Sequence, residues 1–186
     1  MDCNRLDYIK SVTDKSDDKQ WAYPEYPIGA YFQLNFKRRE STTVVESHAR
    51  KLPKGSLIIL SQVPHESKKD TAGDQKKIPD GRKKRYLTHV VELVNEGSED
   101  EPQWEKHPWG IFRWVKVDWI ADLRDCSADL RNWDSIPVDW EVMRARWGWY
   151  DTCAKSLSGD KLMEKWCTID QLREHLKKEL NLEAIK

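Results

Sequence analysis

Four apolar runs typical of β-strands, with a single helical segment among them, constrain the fold of this chain more than any other feature. The runs lie at 30–36, 56–62, 86–94 and 111–120, and the helical segment lies at 41–52. In the first run, apolar and polar side chains alternate with the period of a half-buried strand. A doubly wound sheet needs a helix after nearly every strand. The order therefore predicts an α+β fold built on a small, strongly curved mixed sheet or barrel flanked by helices.

The pattern changes after about residue 122, where the sequence becomes aromatic and helical in character. Ile169, Leu172 and Leu176 recur at helical spacing, which predicts a final helix over 169–180 capped by Thr168 or Asp170. We therefore expect three parts, and the polar first part is predicted to be loose or helical. They are a lead-in over 1–27, a core domain over 28–122, and a tryptophan-rich helical extension over 123–186 that packs on the core.

Charge and cysteine content exclude several broad classes of protein. Lysine plus arginine and aspartate plus glutamate both number 32, so net charge alone indicates no polyanionic partner. Basic residues are concentrated locally instead, with eight basic and four acidic residues in 64–85. The four cysteines form no CxxC pair and have no histidine at zinc-finger spacing, which favours a reducing compartment.

Targeting and catalytic motifs are also missing from the sequence. No stretch approaches the roughly 20 apolar residues of a membrane span, and the first ten residues have no signal-peptide core. We therefore predict a cytoplasmic protein without a membrane partner. No GxSxG, P-loop, GxGxxG or HExxH motif occurs. The sequence predicts no catalytic residue, no metal and no cofactor, and His89 is expected to be a buried, hydrogen-bonded histidine.

Part of the chain resembles a known superfamily. YFQLNFKRR (31–39), a helix, and then LPKGSLIILSQ (52–62) resemble the start of PUA-like domains of the EVE, YTH and ASCH type. The runs YLTHVVELV and WGIFRWVKVDWI resemble their returning and closing strands, so the resemblance covers about 28–122. It implies a protein that reads nucleic acid, DNA or RNA, often through a pocket that takes a flipped, modified base.

The candidate binding residues are of three chemical kinds. Most of the ten tryptophans are expected to be structural, but Trp114 alternates with Lys116 and Asp118 on a half-polar face. Aromatic rings can stack on bases, amides can pair with base edges, and basic side chains can track phosphates. Each candidate also has a purely structural alternative, such as core packing or a solvated loop. The candidates are Gln33, Asn35, Lys37, Arg38, Arg39, Gln62, Lys83, Lys84, Arg85, Trp109 and Trp114.

Two other classes of function stay open at this point. The same scaffold can carry a nuclease or another hydrolase, with the loop lysines and Asp118 or Asp122 recruited for phosphodiester chemistry. Alternatively, the aromatic extension over 123–186 can dock a protein partner. The sequence favours a binding protein over an enzyme because nothing in it indicates a nucleophile or a carboxylate cluster.

Overall fold

The structure is a computed structural model of the 186-residue chain. It describes residues 1–12, 21–23, 25–37, 44–62, 86–99, 109–121, 153–159, 163–164 and 166–182.

Within these residues the fold is α+β, with six strands in one mixed sheet and two α-helices. A short 3-10 turn at Cys3–Arg5 precedes the first strand. The strands are β1 (Leu6–Ser11), β2 (Tyr31–Lys37), β3 (Leu57–Gln62), β4 (Tyr86–Leu93), β5 (Trp109–Ile120) and β6 (Ala154–Ser156). The helices are α1 (Val44–Lys51) and α2 (Ile169–Glu179).

The sheet curls into a half-barrel with the strand order β2-β5-β4-β3-β1-β6. Strand β1 runs parallel to β3, and the other four pairings are antiparallel. The predicted curved mixed sheet is therefore confirmed. Among the described strands, the edge strands β2 and β6 are not paired with each other.

Apolar clusters lie on both faces of the sheet, and the outer one covers β1, β3 and the first half of β4. The inner cluster lies in the curl beneath α1 and includes Phe32, Leu34, Phe36 and Val115. The outer cluster lies on the opposite face beneath α2; it joins Leu6, Ile9, Leu57 and Ile59 to Leu172 and Leu176 of the helix. Because both faces of the central strands are covered, β3 is buried along its whole length, as its continuous apolar run predicts.

A β-bulge divides β5 into two parts that present their side chains differently. Val91 is opposite Val117, but Val90 is opposite Trp119, so Asp118 is an extra residue in β5. Simple alternation places Trp119 on the same face as Val117. That expectation is wrong, because the bulge turns Trp119 onto the outer cluster, where it is partly buried.

The first residues of the chain also differ from expectation. They are predicted to be loose or helical, but residues 6–11 form β1, which lies between β3 and β6. Ala154–Ser156, in the part predicted to be helical, pairs with β1 as an edge strand. The final helix forms where predicted, and its Thr168 side chain accepts a hydrogen bond from the backbone N–H of Gln171 at 3.3 Å. In the part of the chain that is described, no helix has the length and hydropathy to cross a membrane.

Candidate functional site

Strands β2 and β5 present a mixed aromatic and polar surface on the side away from the inner cluster. Their inward residues alternate with outward ones, so burial of Phe32, Leu34 and Phe36 turns the intervening β2 side chains outward. In β5 the same alternation turns Phe112, Trp114 and Lys116 outward, because their neighbours along the strand are buried. We call this surface the aromatic face; it consists of Tyr31, Gln33, Asn35, Phe112, Trp114 and Lys116.

Two large rings on the aromatic face are open to solvent. Tyr31 is 58% exposed and Trp114 is 43% exposed, which sets them apart from the buried rings of Phe32 and Phe36. The strand register places Gln33 directly opposite Trp114 and Tyr31 opposite Lys116. An exposed tryptophan beside an amide and a phenol can stack on a planar ligand and hydrogen-bond its edge.

The charge of the aromatic face is largely compensated within the protein. Lys116 Nζ lies 3.0 Å from a carboxylate oxygen of Asp118 and 3.4 Å from one of Glu92. The hydrogen bond to Asp118 and the nearby negative charges raise the pKa of Lys116, so it remains protonated. Glu92 also pairs with Arg5 at 2.8 Å. Lys116 is therefore part of an ion-pair network, which weakens its attraction for a phosphate.

A second polar cluster is buried at the end of β3 and the start of β4. The amide of Gln62 accepts from the backbone N–H of Ala22 at 2.7 Å and donates to the carbonyl oxygen of Ala22 at 3.2 Å. It also donates to the Thr88 hydroxyl, which lies 2.9 Å from Nδ1 of His89. We call Gln62, Thr88 and His89 the polar network. It holds residues 21–23 against the end of the sheet.

The hydrogen bonds of the polar network determine the protonation state of His89. Nε2 lies 3.2 Å from the carbonyl oxygen of Tyr23, so Nε2 carries a proton and donates it. Nδ1 then accepts from the Thr88 hydroxyl, whose own acceptor sites receive the Gln62 amide. Burial lowers the pKa of His89 from 6.5 to about 4. The expected buried, hydrogen-bonded histidine is confirmed.

Tyr23 connects the polar network to β2. Its φ of 62° lies in the left-handed region, which costs a tyrosine about 1–2 kcal/mol. The hydrogen bond from His89 and a stacked contact with Phe32, at 4.4 Å between ring centroids, hold this conformation. Its hydroxyl oxygen accepts from the backbone N–H of Asn35 at 3.4 Å, and so covers a donor on the outer edge of β2.

Among the residues that the structure describes, two buried basic side chains also lie in the curl of the sheet. Arg113 donates to the carbonyl oxygens of Ala49, Leu52 (3.1 Å) and Asn95 (2.7 Å), which binds β5 to the end of α1. Lys10 is 2% exposed, and its Nζ lies 4.5 Å from the centre of the Phe36 ring. Burial lowers the pKa of Lys10 to about 7. Arg113 has a structural role, because it satisfies the last carbonyls of a helix.

The candidate residues are distributed over several places in the fold. Gln33, Asn35 and Trp114 come together on the aromatic face, whereas the Gln62 amide is used inside the protein by Ala22 and Thr88. The backbones of Lys37 and Trp109 are opposite each other at the end of the β2–β5 pair. The side chains of Lys37 and Trp109, and the whole of Arg38, Arg39, Lys83, Lys84 and Arg85, lie outside the described residues.

Tyr31, Phe112 and Lys116 belong to this surface but were not predicted from the sequence as binding residues, and Tyr31 is the most exposed of them. The signal was present, because Tyr31 shares its side of the alternating strand with Gln33 and Asn35. An aromatic residue on the polar side of a strand cannot fill the core that the apolar side forms. Its exposure therefore follows from the same argument that singled out Trp114.

Neither the comparisons with known proteins nor the metal-binding side chains assign a function to this protein. No family model, curated protein or solved structure matches this chain. Among the residues that the structure describes, no three histidine, cysteine, aspartate or glutamate side chains are grouped so as to hold a metal ion. Asp118, considered above for phosphodiester chemistry, is paired with Lys116, and Asp122 lies outside the described residues.

Proposed function

We propose that this protein binds nucleic acid, DNA or RNA, and that its curved mixed sheet is of the PUA-like type. The observation that carries the proposal is the exposure of Trp114 and Tyr31 on one sheet face beside the amides of Gln33 and Asn35. Aromatic rings on a sheet face are a recurrent platform for unpaired bases, and amides can hydrogen-bond the base edges. Neighbouring residues of this surface can therefore stack on a base and hydrogen-bond its edge.

Basic residues supply the second component of binding in this proposal. Lys37, Arg38 and Arg39 follow one another in the sequence at the end of β2, and 64–85 has an excess of four positive charges. Lysine and arginine bind phosphates without reading sequence and make affinity depend on salt. We propose that these residues hold the backbone of a strand while the aromatic face contacts its bases.

The proposed PUA-like type also indicates more specifically which ligand the protein binds. Domains of that type often take a flipped, modified base, and extruding a base leaves a ring that needs flat walls and polar groups. Trp114 with Gln33 and Asn35 offers a flat wall and polar groups on one surface. The proposed role is therefore that of a reader of exposed bases, modified or unmodified, rather than of a duplex groove.

Direct binding measurements test this function. Fluorescein-labelled single strands of DNA and RNA, each with and without a modified base, are titrated at low salt and followed by fluorescence anisotropy. We expect saturable binding that weakens as salt rises, with a logarithmic slope of about 0.7 for each phosphate contact. A variant with Lys83, Lys84 and Arg85 changed to alanine should lower that slope. Flat titrations for every strand at low salt would refute the proposed function.

A further inference from the structure

The two exposed rings of the aromatic face occupy diagonal positions in the β2–β5 pair. Tyr31 is opposite Lys116, and Trp114 is two residues before Lys116 on the same strand. Diagonal neighbours on one face of an antiparallel pair lie about 7–8 Å apart. Both rings project from this face, because 58% of Tyr31 and 43% of Trp114 is exposed.

For two rings that stand upright on the face, this separation of residue positions leaves room for one flat ring between them. Stacked bases in a strand repeat every ~3.4 Å, so a base between two aromatic rings separates them by about 7 Å. Gln33 lies directly opposite Trp114 and two residues from Tyr31 on the same face. Its amide offers both a donor and an acceptor at the edge of the space between the rings.

The surrounding charges favour a base over a phosphate at this place. Lys116 lies across from Tyr31, but its ammonium group is engaged by Asp118 at 3.0 Å and Glu92 at 3.4 Å. A phosphate there would meet two carboxylates as well as the lysine. A neutral ring meets no such repulsion, and it gains the stacking energy of the exposed indole and phenol.

We propose that Tyr31 and Trp114 form a slot for a single unpaired base, with Gln33 at the base edge. The inference rests on the proposed function and narrows it to bases that are unpaired or flipped out. In a fully paired duplex both faces of every internal base are covered by its neighbours, so the slot cannot reach them. The slot contributes stacking, and the salt dependence of binding comes from basic residues elsewhere.

Strands with and without bases test the slot directly. The probes are a labelled ten-nucleotide oligothymidylate, which cannot pair with itself, an abasic strand of the same length, and a duplex. The variants are Trp114→Leu and Tyr31→Leu, which remove a ring, and Trp114→Phe, which keeps one. Ile28→Ala is the matched control, because Ile28 is an exposed apolar residue, 50% accessible, with no ring.

The full chain should bind oligothymidylate about 5- to 150-fold more tightly than the abasic strand, the range that ~1–3 kcal/mol of stacking per base gives. Trp114→Leu and Tyr31→Leu should reduce this preference and leave affinity for the abasic strand and the salt slope unchanged. Trp114→Phe should recover part of it, and Ile28→Ala should behave as the unmodified protein. The duplex should show no sensitivity to Trp114→Leu.

Equal affinity for the base-containing and abasic strands would overturn the slot and leave nucleic-acid binding standing. The slot would also be overturned if Trp114→Leu lowered the affinity for both strands by the same factor, because that result indicates a general effect on folding or on phosphate contacts. Absence of binding to all three probes would instead remove the proposed function itself. Circular dichroism of each variant separates loss of the slot from loss of structure.

Discussion

Replacing Gln62 with leucine distinguishes its structural role from a direct role in ligand binding. The amide of Gln62 bonds the N–H and the carbonyl oxygen of Ala22 and the hydroxyl of Thr88, and the side chain is 1% exposed. Gln62→Leu keeps a side chain of similar length and removes every one of these bonds. We expect a large loss of folding free energy and no specific loss of nucleic-acid affinity in the molecules that remain folded.

The expected loss of folding free energy follows from the buried polar groups that lose a hydrogen-bond partner. The N–H and carbonyl of Ala22 are left without this bond inside the protein, whereas Thr88 keeps its contact with His89. Each buried polar group left unsatisfied costs about 1–3 kcal/mol, so the two together cost about 2–6 kcal/mol. That is a large part of the ~5–15 kcal/mol by which a domain is stable. With a denaturant slope of ~2 kcal/mol per molar, the urea midpoint should fall by about 1–3 M.

Urea unfolding followed by tryptophan fluorescence and circular dichroism measures this change. Gln33→Leu is the matched control, because it makes the same replacement on the half-buried aromatic face; we expect it to stay within about 0.5 kcal/mol of the unmodified protein. If Gln62→Leu and Gln33→Leu unfold at the same urea concentration, the polar network does not stabilise residues 21–23 as described.

Substitutions at three further positions, with one control, test other parts of the fold. The pKa of His89 is about 4 in the folded protein and 6.5 ordinarily, so between pH 6.5 and 4 the unfolded chain binds a proton that the folded protein does not. The free energy of unfolding should therefore fall by about 3 kcal/mol from pH 6.5 to 4, and His89→Gln should remove this part of the pH dependence in urea titrations. The pKa of Lys10 is lowered from 10.5 to about 7, so burial of its charge costs about 4 kcal/mol at pH 7. Lys10→Met should raise the thermal midpoint at pH 7 by the equivalent of that cost, and the gain should disappear as pH rises towards 10.5; an unchanged midpoint at pH 7 would contradict this. Gly97→Ala places a Cβ 2.0 Å from the carbonyl oxygen of Arg50 and should cost about 2 kcal/mol or more in urea unfolding, whereas Gly159→Ala, whose new Cβ has its nearest neighbour at 3.5 Å, should be nearly neutral.

The elements with a clear side-chain period were predictable from sequence. β2 alternates strictly, β3 is a continuous apolar run, and α2 has Thr168 as its cap and leucines at helical spacing. β1 was not recognised, because LDYIKS has two charges in six residues and its pairing with β3 is non-local. β6 has three residues, too few for any period to appear.

The candidate surface was predictable only in part, for a similar reason. The exposure of Trp114 follows from its alternation with Lys116 and Asp118, a local pattern. The pairing of β2 with β5 brings Tyr31 and Gln33 beside Trp114 across a long stretch of sequence, and no local pattern encodes it. The internal use of Gln62 likewise depends on Ala22, forty positions earlier, reaching the end of β3.

The position of β1 has a consequence for how the protein is made. β1 pairs with β6 from the far end of the sequence, and Arg173 of α2 donates to the carbonyl oxygen of Leu6 at 3.2 Å and to the carboxylate of Asp7. At ribosomal rates of ~5–20 residues per second, β1 waits for about 7–30 s before β6 exists. During that interval its outer edge is open to other nascent chains, and a charged lysine in the strand opposes such pairing. Burial of Lys10 costs stability in the folded protein, but during synthesis its charge opposes pairing of β1 with other chains.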